Sequence, residues 1–231
     1  MTLGGENETE WHRNWKSLFP VDWQEVVHFD KETGEKHIAD VKTDKGFVFE
    51  FQNSPMSFDE LKSREQFYKK MLWIVNGEKF RNNFYILGEL PDPRDTYFSD
   101  IAFCSTRKNH MARGYWKYSE NPEWHQNSDK VMLVRIYDYN EIKPKVEASY
   151  VGHHLFDWTK PKEVWFYSQC DVFIDFGGKV IWKLMKYGRN GLYCVRRIDK
   201  EYFINRATGI TTKPRGVSPP PPVPRDSLRL G

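Results

Sequence analysis

The chain has 231 residues, 39% hydrophobic and 29% charged, which excludes a disordered protein and leaves room for one good core with an extra subdomain. No apolar run approaches the roughly 20 residues that span a bilayer, and the acidic start MTLGGENETE lacks the apolar stretch of a secretory signal. The net charge of +3 is supplied by residues 213–231, where Lys213, Arg215, Arg225 and Arg229 face Asp226 alone, so overall charge argues for no particular partner.

Three widely spaced cysteines, Cys104, Cys170 and Cys194, do not make a disulfide framework and point to a reducing cytoplasm. Nine tryptophans are many; their rings either fill the core or stack on bases. In chain order, residues 9–19 read as a helix with Thr9 as N-cap. Trp11, Trp15 and Leu18 lie on one side, with His12 and Lys16 as a second i, i+4 pair beside them. Residues 23–30, 37–43 and 47–53 read as strands. Residues 57–71 read as a helix, opened by the capping box Ser57-x-x-Glu60. The apolar LWIV at 72–75 reads as a strand buried in a mixed sheet, and 84–90 as another. Further on, 131–139 and GLYCVRRI read as strands, and two apolar runs around Gly177-Gly178 as a hairpin. The PPPPVP tail at 213–231 reads as disordered or polyproline-like. The pattern predicts an α/β or α+β fold with helices covering a central sheet. It divides into a core at 9–90, a β-rich extension at 91–212 and the basic tail.

The stretch at 37–57, HIADVKTDKGFVFEFQNSPMS, holds two acids in strands that should be buried. Asp44-Lys45-Gly46 suits a three-residue hairpin loop, which sets Asp40 opposite Glu50. Alternation then gives Asp40, Lys42, Glu50 and Gln52 one face, while Phe47, Phe49 and Phe51 point into a core layer. Two opposed carboxylates destabilise a sheet. A cation between them, a neighbouring Lys or Arg, or full solvation relieves that cost. A hard divalent ion such as Mg²⁺ or Mn²⁺ suits the oxygen donors.

These residues carry a resemblance. His12 with Lys16, Ala39-Asp40-Val41, Glu50-Phe51-Gln52 with Ser54, Arg64 with Tyr68, and Trp73-Ile74 follow the order of motifs in the nuclease domain of CoiA-like competence proteins. That family belongs to the PD-(D/E)XK, or restriction-endonuclease-like, superfamily. The likeness covers about residues 9–76. It implies a restriction-endonuclease-like mixed sheet at 9–90 and a bacterial or phage deoxyribonuclease with DNA, single strands included, as partner. Asp40 and Glu50 would hold Mg²⁺ or Mn²⁺, with Glu25 as a further carboxylate. Gln52 stands where the superfamily usually has lysine; it would position the attacking water, and Lys16 and His12 would assist. Arg64 and Lys42 would meet phosphate. A non-cleaving DNA-binding module that keeps the fold is the alternative, supported by Gln52 and the neutral body.

Independently of the resemblance, residues 104–118 mix Arg107, Lys108, Arg113 and Lys117 with Tyr115, Trp116 and Tyr118 and contain no acid. That composition suits a nucleic-acid backbone and stacked bases as well as a solvated loop.

Overall fold

The computed structural model describes residues 8–29, 34, 36–105, 113–122 and 134–209. The chain begins with α1 (Glu10–Lys16) and continues into β1 (Gln24–Phe29), β2 (Lys36–Lys42) and β3 (Val48–Gln52). The helix α2 (Phe58–Tyr68) then leads to β4 (Met71–Asn76). Thr9 and Ser57 cap the two helices as their sequences predict, accepting from the N–H groups of His12 and Glu60.

The later strands are β5 (Phe84–Pro91), β6 (Ile101–Ser105), β7 (Arg113–Lys117) and β8 (Tyr137–Asp138). They are followed by α3 (Lys143–Ser149), β9 (Tyr150–Trp158), β10 (Asp171–Asp175), β11 (Val180–Tyr187), β12 (Leu192–Asp199) and α4 (Lys200–Thr208). Of the strand expected at 131–139, residues 131–133 lie outside the described residues, and only Tyr137–Asp138 is strand. The basic tail at 213–231 lies outside them as well.

Nine strands form one mixed sheet in the order β1-β2-β3-β4-β10-β11-β12-β9-β5. β3, β4 and β10 run parallel, with α2 as the crossover between β3 and β4, and the flanking strands are antiparallel. The predicted α/β class holds. All six residues of β4 are buried, because the strand has neighbours on both edges and helices over both faces.

The division expected at residue 90 does not separate two sheets. β4 pairs with β10, and β5, the last strand of the expected core, lies at the far edge beside β9. The pairing of β4 with β10 joins segments about a hundred residues apart, which no local pattern announces.

Two layers cover the half of the sheet that holds the acids. On one face Trp15 and Phe19 pack on Val41, Phe49, Phe51, Leu72 and Phe173, with Phe203 and Ile204 of α4 beside them. On the other, Leu61 of α2 packs with Ala39, Val48, Trp73 and Trp165. A third cluster joins the small β6-β7-β8 sheet and α3 to the far end of the large sheet, through Leu90, Leu155 and Cys194.

Candidate active site

The hairpin that carries the acids closes as its sequence dictates. Gly46 takes a left-handed φ of +74°, Gly46 N–H donates to the Thr43 carbonyl, and Thr43 and Phe47 close the ladder. Val41 then pairs with Phe49 and Lys42 with Val48, the register that sets Asp40 opposite Glu50. β1 and β2 pair Gln24 with Val41 and Val26 with Ala39, so Glu25 falls on the far side of Asp40. Three acids therefore share one row across three strands.

The sheet is irregular along that row. Glu25 has a φ of +52°, a left-handed conformation that a residue with a Cβ adopts at a cost. The β2–β3 pairing runs only through Val41 and Lys42. Past it, the Asp40 carboxylate takes the place of a backbone acceptor: Phe51 N–H donates to its Oδ2 at 2.7 Å. The chain also changes sides here. Val41 lies in the α1 layer but Ala39 in the α2 layer, two residues of the same parity on opposite faces. The expected single acidic face is thus corrected: Glu50 faces α2, while Asp40 turns sideways into the gap between strands.

Helices reach the gap from both faces. From α1, His12 Nε2 lies 3.0 Å from Asp40 Oδ1, close but not aligned for a hydrogen bond. Lys16 is paired with Glu25 at 2.7 Å and with Glu8. Burial pulls the Lys16 pKa down, but its bonds to Glu25 and Glu8 outweigh that and leave it above the ordinary lysine value. From α2, Arg64 forks between Glu50 Oε2 at 2.6 Å and Glu60 Oε1 at 3.0 Å.

Glu50 is the most constrained group. Its residue is 1% exposed, and its second oxygen, Oε1, is buried with no hydrogen-bond partner. Burial and the nearby charge of Asp40 push its pKa up to about 8, against the pull of Arg64. Tyr68, one turn beyond Arg64, feels the same site: burial and then the charge of Glu50 raise its pKa. It packs against the rings of His28, His37 and Phe67.

The remaining expected residues stand apart from this pair. Gln52 donates its amide to the carbonyl and hydroxyl of Ser54, both at 3.0 Å. Lys42 faces α2, and its charge helps lower the His28 pKa, after burial. Among the described residues no three His, Cys, Asp or Glu side chains gather as a metal site, so Glu25 does not join Asp40 and Glu50. Arg107, Lys108 and the side chain of Arg113 lie outside the described residues. Lys117 is paired with Glu120 and lies over the Tyr137 ring. Its small sheet packs toward β5, β9 and β12, about 24 Å from β3 at the usual strand spacing.

Sequence reading missed Asp175. Its residue is 1% exposed, and its Oδ2 accepts from the indole N–H of Trp15 at 2.7 Å and of Trp11 at 3.0 Å. Lys200 approaches the same oxygen at 3.3 Å, and Gly177 N–H donates to Oδ1 at 2.9 Å. This carboxylate fixes α1, and with it His12 and Lys16, to the sheet. The only sequence signal was an acid closing the apolar run before Gly177-Gly178.

No family model, curated protein or solved structure matches this chain.

Proposed function

We propose that the chain is a divalent-metal-dependent nuclease of the restriction-endonuclease-like type, acting on DNA phosphodiesters. The observation that carries this reading is the buried Glu50 carboxylate, its Oε1 without a hydrogen-bond partner, set beside the charge of Asp40. The donor chemistry fits a hard cation: Asp40 and Glu50 would hold Mg²⁺ or Mn²⁺, with backbone carbonyls and water completing the shell. Such an ion supplies polarisation of the phosphate and a more acidic bound water.

The chain's own groups have separable tasks. Lys16, held positive by Glu8 and Glu25, presents a charge at the α1 side of the row. His12 stands beside Asp40 and orients it. Gln52 has its amide nitrogen committed to Ser54, which leaves the carbonyl end of that amide to accept from a water. Arg64 is shared between Glu50 and Glu60, and it could turn from Glu50 toward a phosphate while keeping Glu60 as its partner.

The non-cleaving DNA-binding module stays as the second reading because of one observation, the 2.6 Å bond of Arg64 to the carboxylate a metal would need.

The deciding measurement is cleavage of labelled single-stranded, duplex and supercoiled DNA with Mn²⁺, Mg²⁺ or EDTA. Metal-dependent cutting is expected, with losses of about a hundredfold to a thousandfold in both Asp40→Ala and Glu50→Ala, a size typical of a removed electrostatic stabiliser. Folded wild type that cuts none of these and gains no thermal stability from either metal would hand the case to the binding module.

A further inference from the structure

Beyond the acid row, β1 and β2 present a second surface. The rings of His28 and His37 pack on Phe67 and Tyr68, and Ala39 lies in the α2 layer. Alternation therefore turns Val27, Phe29, Lys36 and Ile38 to the opposite side. Val27 and Ile38 are direct cross-strand partners, as are Phe29 and Lys36, so the four form one contiguous strip. Val27 is 44%, Ile38 45% and Phe29 66% exposed, and Lys36 is exposed beside them. This strip exists because the chain changes sides at Asp40. Regular alternation would have carried Ile38 to the α2 side.

Three apolar side chains left open next to a cation suit an occupant with flat apolar faces and negative charge. The strip starts two residues from Asp40, about 7 Å along the strand. That is the step between neighbouring phosphates of an extended nucleotide strand. A duplex offers this surface phosphates and sugars, with its base faces hidden in the stack. An unpaired base offers its face to the Phe29 ring. A second protein is a poorer fit, since four side chains fall far short of the roughly 20–30 residues a side of a stable interface.

Resting on the nuclease reading of the acid row, we infer that Phe29, with Val27, Ile38 and Lys36, binds the unpaired bases of single-stranded DNA next to the bond to be cut. Phe29 stacks a base, Ile38 and Val27 support the nucleotide nearer the row, and Lys36 meets a phosphate. The site thereby selects single strands.

The test is fluorescence anisotropy of a short labelled oligo-thymidine and of a duplex of equal length, in EDTA so that nothing is cut. Wild type is expected to prefer the single strand. Phe29→Ala should weaken it by about tenfold, the range of one lost base–aromatic stack, with little change for the duplex. Phe29→Trp should restore binding, and 2-aminopurine fluorescence in the oligonucleotide should be quenched by wild type and Phe29→Trp only. Equal weakening of both DNAs, no preference in wild type, or a change only in sedimentation behaviour would overturn the proposal; the last would mark a self-association face. Hydrolysis of bis(p-nitrophenyl) phosphate by wild type and Asp40→Ala tests the acid row separately, on an ester without bases. Phe29-dependent binding without that hydrolysis keeps the single-strand site and sinks the nuclease. Metal-dependent hydrolysis with Phe29-independent binding does the reverse.

Discussion

Replacing Asp175 with alanine is expected to destabilise the protein by about 3–5 kcal/mol, the usual cost of breaking a buried charge network from one side. The substitution strands the indole N–H groups of Trp11 and Trp15, the N–H of Gly177 and the ammonium of Lys200, all of which use this carboxylate. Against a typical total of about 5–15 kcal/mol, such a loss is severe. Urea unfolding measures it through the midpoint at constant slope. Asp175→Asn keeps an acceptor for the indoles but offers Lys200 no charge, so it should fall between wild type and alanine. An alanine variant within about 1 kcal/mol of wild type would mean that water replaces the carboxylate and that α1 is held by packing alone.

The second large effect concerns Arg64 and has a pH signature. In the folded chain Glu50 holds its proton up to about pH 8, whereas an unfolded glutamate releases it near 4.5. Between those values the folded state binds the extra proton. Stability from this group is therefore complete below about pH 4.5 and declines as pH rises toward 8. Arg64 limits the decline by pairing with the ionised form; Asp40 extends it to higher pH, and His12 and Tyr68 border the same gap. Arg64→Met removes that limit. The variant should track wild type from pH 5 to about 8 and fall behind only above that, by about 1.4 kcal/mol per pH unit and so by about 1 kcal/mol at pH 9. Thermal unfolding across pH 5–9 in EDTA gives the comparison. A deficit constant with pH would show that Arg64 contributes packing and its bond to Glu60, and that Glu50 is solvated enough to ionise alone.

What the sequence revealed was local. The cap at Ser57, the loop at 44–46 with Gly46 last, the hairpin around Gly177-Gly178 and the buried run at β4 each depend on residues a few positions apart. The register that opposes Asp40 and Glu50 follows from the loop alone. Two things escaped. Regular alternation predicts one face through Asp40, but the chain changes sides there beside a left-handed Glu25, a residue type that gives no such signal. Relations between distant segments escaped as well. Asp175 meets Trp15 across 160 positions, and the aromatic, basic segment around Lys117 packs at the opposite end of the sheet from the acids. Composition identifies what a segment suits, and only the topology decides which segments meet.

The parallel pairing of β4 with β10 has a consequence in time. While the chain is being made, β4 emerges with one edge open and apolar side chains on both faces, a state prone to mispairing. α1 then lacks its acceptor until Asp175 has left the ribosome, and α4, which covers the same layer, follows later still. Asp175 follows the acids at 40 and 50 by more than a hundred residues, so α1 is anchored beside them only after β10 has been made.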